Sequence, residues 1–269
     1  MSDCNSKDKV EEVAVLQMSA NHRKWIRKLH RRKSREQEGV FIAEGFNALE
    51  AALKTTCHPI LEVVTDEDHL ESVAAILPEN LPVYGCSGSI MGDISTEKSP
   101  QGVVVVCHRG ELNFRDLEEG VASDTLLYLD RVSDPGNLGT IMRTAAWFDV
   151  RQLILSPSCV DPFNTKAIRA SAGTVFEIEI YQSVDPPQIC QFADRTGHRM
   201  IAMVPRGGVP PGQLEKGSKN IVMLGQEADG LSDELTEYAD QVVSIPGSGG
   251  VESLNLSVAA AVILYEVTK

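Results

Sequence analysis

Apolar and polar residues alternate along the first half of the chain in blocks typical of strands and helices. Short β-branched runs, about one strand in length, are separated by amphipathic stretches of helical length. The predicted strands are GVFIA, ILEVVTD, PVYGCS and GVVVVC, and the predicted helices are GFNALEAALKT, EDHLESVAAIL and a short piece near Ile90. This regular alternation is typical of an α/β layer.

A second block of the same kind begins at Thr125. Its predicted strands are TLLYLD, QLILS, VFEIEI, MIAMV, IVMLG and VVSIP, with helices over 137–148 and around TKAIRASA. Near-continuous Val, Ile and Leu runs are typical of strands that are buried on both faces, so we predict a parallel sheet. Ligands of such sheets bind at the carboxyl ends of the strands.

A chain of 269 residues has room for two modest domains. The segment 108–124 is polar, carries two glycines and lacks an apolar period, which indicates a linker. We therefore predict an α/β protein with a mobile N-terminus at 1–18, a smaller domain at 19–107, this linker, and a larger domain at 125–269.

Charge is distributed unevenly along the chain. The net charge of −13 and the acidic composition argue against a polyanionic partner. One short segment nevertheless concentrates cations, at Arg23, Lys24, Arg27, Lys28, Arg31, Arg32, Lys33 and Arg35. If this basic segment is helical, Trp25, Ile26 and Leu29 form an apolar stripe and the cations cover the remaining surface. Such clusters are typical of RNA-binding patches that contact phosphates, and a solvated basic face is the alternative.

Several functional classes are disfavoured by composition. The six cysteines form no CxxC pair and the six histidines are scattered, so we expect free thiols and no metal site. No apolar run is long enough to cross a membrane. The first residues, MSDCNSKDKVEE, lack the apolar core of a signal peptide, which predicts a cytoplasmic protein.

Three unusual segments follow predicted strands, and the second of them is LGQEADGL. Gly225 and Gly230 permit a close approach of the backbone to a ligand or a positive φ, and Glu227 lies between them. Two simpler explanations stay open. Gly230 would then only relax a turn, and Glu227 would cap a helix or be solvated.

The third segment, GSGGVESLN, precedes an apolar helix. Gly247, Gly249 and Gly250 leave main-chain groups unshielded, and Ser253 and Asn255 stand where the helix begins. One such residue is enough to cap a helix, so having Ser253, Asn255 and Ser257 together indicates that at least one of them faces something other than its own helix, although capping alone remains an alternative. The following LSVAAAVILYE is apolar nearly all round, which predicts a buried helix at a subunit interface.

The first segment, DRVSDPGNLGTIMRTA, contains a Pro-Gly turn, with Asn137 as the expected helix cap. Arg143 is one to two turns further along, in a groove of mainly small residues. A guanidinium in such a position favours a phosphate or a carboxylate ligand. A salt bridge to Asp134 or Asp149 is the alternative.

Together these segments resemble the signature motifs of the SpoU/TrmH family of RNA ribose 2′-O-methyltransferases, in the SPOUT superfamily. RASAGTVFEI resembles a further family segment, and Gly247 stands where the family usually has Met. The resemblance implies a C-terminal domain with a deep trefoil knot that forms a homodimer through its cofactor-binding face. It also implies an N-terminal substrate-binding domain similar to a small RNA-binding ribosomal protein.

The resemblance further implies transfer of a methyl group from S-adenosylmethionine to a ribose 2′-hydroxyl, without a metal. The implied catalytic residues are Asn137, Arg143, Glu227, Ser253 and Asn255, and the implied cofactor contacts are Leu224, Gly225, Ile245, Pro246, Gly249, Ser253 and Leu254. An arginine stays protonated to about pH 12, so we assign Arg143 to the adjacent phosphate and the developing alkoxide and not to general-base catalysis.

Ribosomal RNA is the favoured substrate, with transfer RNA as the alternative. A non-catalytic RNA-binding module that keeps the fold is a competing function. A nicotinamide-dependent oxidoreductase is disfavoured, because no GxGxxG follows the first strand of the larger domain.

Overall fold

The computed structural model describes residues 15–55, 57–78, 80–110, 112–119, 123–214, 219–250 and 253–269. The chain divides into two compact units between Arg109 and Gly110. Of the predicted mobile N-terminus, residues 1–14 lie outside the described residues. Residues Val15–Gln17 form a short strand.

The first unit is an α/β layer around a five-stranded sheet. Its elements in chain order are β1 (Val15–Gln17), α1 (Ala20–Lys28), α2 (Arg32–Glu38), β2 (Val40–Glu44), α3 (Phe46–Ala52), β3 (Ile60–Asp66), α4 (Leu70–Ala74), β4 (Val83–Cys86), α5 (Gly88–Ile94) and β5 (Val103–His108). The strand order is β1-β4-β3-β5-β2, and β5 runs antiparallel to β2 and β3. The valines of β5 are buried, because β5 is an interior strand of the sheet with β3 on one side and β2 on the other.

The second unit is built on a six-stranded sheet. Its elements are α6 (Phe114–Glu119), β6 (Thr125–Asp130), α7 (Pro135–Trp147), β7 (Gln152–Leu155), α8 (Thr165–Ser171), β8 (Glu179–Tyr181), α9 (Pro186–Thr196), β9 (Arg199–Met203), β10 (Asn220–Gly225), α10 (Asp233–Tyr238), β11 (Gln241–Val243) and α11 (Leu256–Val267). The strand order is β11-β9-β10-β6-β7-β8 and every pairing is parallel, which confirms the prediction from the continuous apolar runs.

Part of the predicted linker belongs to the core of the second unit. Phe114 and Leu117 on α6 are buried, and the Phe114 ring lies 5.4 Å from that of Phe192. Helix α6 has only two apolar residues in its six positions, which is too few to display a helical period. The sequence pattern therefore indicated a linker. The capped helix α9 was also missed, although Asp185 and Gln188 form a capping box that the sequence displays.

Two other elements differ from the sequence prediction. The segment VFEIEI begins as a 3-10 turn over Thr174–Phe176 and becomes strand β8 only afterwards. Strand β11 ends at Val243, so the Ser-Ile-Pro that follows it already belongs to a loop. Among the helices described, none combines the length and apolar character needed to span a bilayer.

Candidate active site

A cleft opens where two neighbouring strands of the parallel sheet separate. The last residue pair between β9 and β10 joins Met223 to Ala202. The ladder between β10 and β6 continues to Gly225. Beyond Met223, β10 is therefore paired with β6 only. The main-chain groups on the other side of β10 face the cleft. This is the carboxyl edge of the sheet, where parallel sheets bind ligands.

The cleft has a volume of about 600 Å³. Its lining comes from the loops that follow β9, β10 and β11 and from the start of α11. The residues predicted to contact the cofactor all line it: Leu224, Gly225, Ile245, Pro246, Gly249, Ser253 and Leu254. Their role as ligand contacts stays a prediction, but the structure brings them to one cavity.

Three polar side chains, one from each unusual segment, meet at this edge of the sheet. Asn137 Nδ2 donates to Glu227 Oε1 at 2.7 Å. Asn255 Nδ2 donates to the same carboxylate oxygen at 3.0 Å and to Asn137 Oδ1 at 3.0 Å. Glu227 also lines the cleft. This amide–carboxylate network therefore ties α7, the loop after β10 and the start of α11 into one site.

Asn255 caps a helix and belongs to the site at the same time. Its Oδ1 accepts from the Ser257 main-chain N–H at 2.9 Å and from the Ser257 hydroxyl at 2.6 Å, which caps α11. Its Nδ2 is therefore free for Asn137 and Glu227. Asn255 therefore caps its helix and also contacts residues outside that helix, because the two ends of one amide bind different partners.

The cap of α7 differs from the prediction. Asp134, and not Asn137, is the N-cap, and its Oδ1 accepts from the Asn137 main-chain N–H at 2.8 Å. The Asn137 N–H, followed by the Lys166 ammonium, holds the pKa of the Asp134 carboxyl below its usual range. Pro135 occupies the first helical position, where its missing N–H costs nothing. The Asn137 side chain is thereby released for the network with Glu227.

The two glycines of the second segment have different roles. A Cβ on Gly225 would lie 2.0 Å from the Gly230 carbonyl carbon and 2.2 Å from the Leu231 nitrogen. Gly225 is therefore required by the backbone of its own loop. Gly230 has a φ of +67°, a left-handed conformation that glycine adopts without strain.

Arg131 connects the end of β6 to the same loop. Its Nε donates to the buried Asp130 carboxylate at 3.0 Å, and its Nη2 donates to the Gly230 carbonyl at 3.2 Å. Its φ is +58°, unusual for a residue with a side chain, and its N–H donates to Ser156 Oγ at 2.9 Å. Arg131 thus helps to hold the loop that carries Glu227, and the sequence analysis did not single it out.

Arg143 lies on the exposed face of α7. The two acidic candidates for a salt bridge are engaged elsewhere, Asp134 with Lys166 at 3.1 Å and Asp149 with Arg151 at 2.7 Å. Within the described part of the chain Arg143 has no hydrogen-bond or ion-pair partner. The guanidinium is therefore available to an external anion.

The small residues of α7 serve close helix packing. A Cβ on Gly139 would lie 2.3 Å from the Ala167 carbonyl oxygen of α8. Gly139 is therefore a packing residue that fixes α7 on its neighbour, and α7 in turn carries Asn137 and Arg143.

One lining segment was missed by the sequence analysis. Pro205, Arg206 and Gly207, which follow β9, line the cleft beside the loops after β10 and β11. The sequence held the signal, since MIAMV was predicted as a parallel strand and its carboxyl end belongs at the same edge as the others.

A family model for the SpoU rRNA methylase family matches residues 124–265, more than half of the chain. This chain belongs to the SpoU rRNA methylase family. The family predicted from the three motifs is thereby confirmed. A second model, of an MRM3-like substrate binding domain, matches residues 21–105.

Relatives of this SpoU chain match it over nearly its whole length. An uncharacterized tRNA/rRNA methyltransferase of Synechocystis is 32% identical, over 91% of this chain and 90% of its own. The 23S rRNA (guanosine(2553)-2′-O)-methyltransferase RlmP of Bacillus subtilis is 29% identical, over 90% of this chain and 93% of its own. The crystal structure of an AdoMet-bound rRNA methyltransferase from Sinorhizobium meliloti has a TM-score of 0.83 and 30% identity, covering 94% of this chain and 96% of that one.

The basic segment of this SpoU chain forms two helices, α1 and α2, within the first unit. Ile26 and Leu29 of the predicted stripe are buried. Arg35, predicted to contact RNA, is 1% exposed and its Nη1 donates to the carbonyls of Leu29 and His30, each at 2.8 Å. The prediction that Arg35 contacts RNA is wrong, because its buried guanidinium donates to main-chain carbonyls in the turn between the two helices.

Ion pairs occupy some of the remaining cations. Arg23 and Arg27 share Asp93, at 2.6 and 3.4 Å, and Arg32 pairs with Glu36 at 2.7 Å. Four exposed cations have no partner in the described structure, and they form the free basic patch: Lys24, Lys28, Arg31 and Lys33. Only these four are both solvent-exposed and uncompensated within the segment.

Proposed function

We propose that this chain is an S-adenosylmethionine-dependent methyltransferase that modifies a ribose 2′-hydroxyl of RNA. The observation that carries the proposal is the network of Asn137, Glu227 and Asn255, which joins the three family segments at the mouth of a ligand-sized cleft. Residues that are up to 118 positions apart in sequence meet there. The free guanidinium of Arg143 extends from the same helix as Asn137.

The cleft fits S-adenosylmethionine in size and in chemistry. Its volume of about 600 Å³ is within the range of small-molecule sites. The Leu224, Ile245 and Leu254 side chains offer apolar surface, and β10 and the glycine-rich loops offer unpaired main-chain groups for the polar edges of a nucleoside. When bound, S-adenosylmethionine supplies a methyl group on a sulfonium, which is activated for in-line attack.

Residues of the chain then position the ribose and stabilise the charge that develops on it. Asn137 and Asn255 are held by Glu227, so their amides are oriented before the substrate arrives. Arg143 remains protonated to about pH 12 and cannot act as an efficient base. It binds the phosphate next to the target ribose and stabilises the developing alkoxide, so that the 2′-hydroxyl proton passes to solvent water late in the reaction.

Titration calorimetry with S-adenosylmethionine tests the cofactor part of the proposal. A methyltransferase binds it with a single site per chain. A non-catalytic RNA-binding module that only keeps the fold gives no heat of binding.

The proposed substrate is ribosomal RNA. RlmP of Bacillus subtilis is named as a 23S rRNA 2′-O-methyltransferase and matches both units of this chain. The match of residues 21–105 to a substrate binding domain supports a role of the first unit in recognising the RNA. Transfer RNA is the alternative substrate, because the relative from Synechocystis is named as a tRNA/rRNA methyltransferase.

The free basic patch should contact RNA phosphates. Replacing Lys24 and Lys28 by Gln should weaken RNA binding and reduce the slope of log affinity against log salt by roughly 1 to 2, because each lost phosphate contact removes about 0.7 to 0.9. Fluorescence anisotropy across a salt series measures both quantities. The matched control is replacement of Lys54 and Lys98 by Gln, two exposed lysines of the same unit outside the patch. Equal slopes for the two variants would place the RNA elsewhere.

We also propose that the second unit forms a homodimer and contains the trefoil knot of its family. An apolar surface supports the dimer: Leu254, Val258 and Tyr265 are 46%, 48% and 51% exposed, and Trp147 is 84% exposed. Helices α7 and α11, which carry most of this surface, pack together through Phe148 and Tyr265, whose rings lie 6.3 Å apart. Apolar side chains exposed together mark an association surface more often than isolated ones do.

Replacing Val258 with Arg should convert the dimer to a monomer, because a charge would have to be buried at the interface. Sedimentation equilibrium measures the mass directly. Ile76 is 42% exposed on the first unit, so Ile76→Arg is the matched control and should leave the dimer intact. A wild-type chain that sediments at its monomer mass refutes the dimer.

A further inference from the structure

The loop that follows β9 is fixed at both of its ends. The Val204 N–H donates to the Val243 carbonyl at 2.9 Å. At the other end, the Gly208 N–H donates to Ser244 Oγ at 3.1 Å, and that hydroxyl donates to the Gly208 carbonyl at 2.9 Å. A Cβ on Gly208 would lie 2.5 Å from the Val243 carbonyl carbon, so the two backbones are in direct contact. The loop 204–208 is therefore held on β11 and the residue after it.

Arg206 occupies the centre of this short loop. Pro205 before it has a restricted φ, and Gly207 after it has a φ of +86°, which residues with side chains rarely adopt. The proline therefore restricts the backbone before Arg206, and the glycine after it adopts a left-handed conformation without strain. The arginine is exposed and lines the cleft.

The charges of the cleft are few. Among the described residues that line it, Arg206 is the cation and Glu227 the anion. Glu227 is already bonded by the amides of Asn137 and Asn255. Arg206 has no hydrogen-bond or ion-pair partner in the described structure, so its guanidinium is available to a ligand. A planar guanidinium with free donors favours a carboxylate or a phosphate.

We propose that Arg206 binds the α-carboxylate of the methionine part of S-adenosylmethionine. This inference rests on the proposed function, because it names a contact within the same cleft. The carboxylate is the one anionic group of that ligand, whereas its sulfonium and α-ammonium are repelled by a guanidinium. Arg206 would therefore direct the amino-acid end of the ligand toward the loop after β9.

Calorimetry with two ligands and three proteins tests this assignment. S-adenosylhomocysteine carries the amino-acid group, and 5′-methylthioadenosine shares its nucleoside thioether but lacks that group. Arg206→Gln should weaken S-adenosylhomocysteine about tenfold or more, the typical loss for one hydrogen bond to a charged group, and leave 5′-methylthioadenosine unchanged. Arg206→Lys should restore part of the affinity, because lysine keeps the positive charge but lacks the paired guanidinium donors that bind both oxygens of a carboxylate. Unchanged binding of 5′-methylthioadenosine also shows that the variant keeps its cleft.

Each other outcome overturns the inference in a recognisable way. An equal loss for both ligands means that Arg206 only maintains the cleft. Unchanged S-adenosylhomocysteine affinity with weaker RNA binding assigns the guanidinium to an RNA phosphate. A gain in S-adenosylhomocysteine affinity places Arg206 beside the α-ammonium. If the wild-type protein binds neither ligand, the proposed function fails and this inference fails with it.

Discussion

Replacing Arg143 with Ala should leave S-adenosylmethionine affinity within about twofold of wild type and lower the single-turnover rate of methyl transfer roughly 30-fold or more, a loss of about 2 kcal/mol or more. The guanidinium does not line the cleft, so the cofactor loses no contact. The transition state loses a donor to its developing negative charge. Calorimetry measures the first quantity, and rapid-quench assays with labelled methyl groups measure the second.

Arg151→Ala is the control for this experiment. Arg151 is a cation of the same unit, paired with Asp149 and Glu177, each at 2.7 Å, and it lies outside the network. Its replacement should leave the rate within about twofold of wild type, since exposed ion pairs contribute little. Arg143→Ala with a rate near wild type would refute the role assigned to Arg143.

Replacing Gly225 with Ala should lower S-adenosylmethionine affinity about tenfold or more and destabilise the fold by roughly 1 to 3 kcal/mol, the usual range for overpacking. The new methyl group would lie 2.0 Å from the backbone of Gly230, and neither chain segment has a flexible end that can move aside. The loop must shift, and the bond from Arg131 to the Gly230 carbonyl and the position of Glu227 shift with it. Calorimetry and urea unfolding measure the two effects.

Gly247→Ala is the matched control, because Gly247 lines the same cleft and nothing lies within 4 Å of its Cβ position. This variant should keep the stability of the wild-type protein. If both alanine variants unfold at the same urea concentration, the close contact between Gly225 and Gly230 is not a constraint on the loop.

The sequence predicted the parallel sheet and the location of the site for physical reasons. Strands buried on both faces display continuous apolar runs, and the carboxyl ends of parallel strands meet at one edge. Glu227 and Asn255 could therefore be placed at the same edge, together with the helix that carries Asn137. The family resemblance then supplied a chemistry that periodicity alone does not contain.

Other features depend on contacts that a linear pattern does not record. Arg35 has the same local pattern as the exposed cations around it, and only the turn between α1 and α2 makes it a buried donor to carbonyls. The sequence predicted that Gly225 permits a close approach to a ligand or a positive φ, but the contact that requires glycine there is with the Gly230 backbone, and a sequence pattern does not record that contact. The double role of Asn255 required knowing that its cap uses one end of the amide only.

The most direct test of the central claim identifies the methylated atom. The wild-type protein is incubated with S-adenosylmethionine carrying a labelled methyl group and with unmodified ribosomal RNA transcripts, with transfer RNA transcripts in parallel. The RNA is then digested to nucleosides for mass spectrometry. The proposed function predicts label in a 2′-O-methylated nucleoside, formed at a rate that Arg143→Ala lowers roughly 30-fold or more. Label on a nucleobase, or no transfer to either RNA by protein that binds the cofactor, would contradict it.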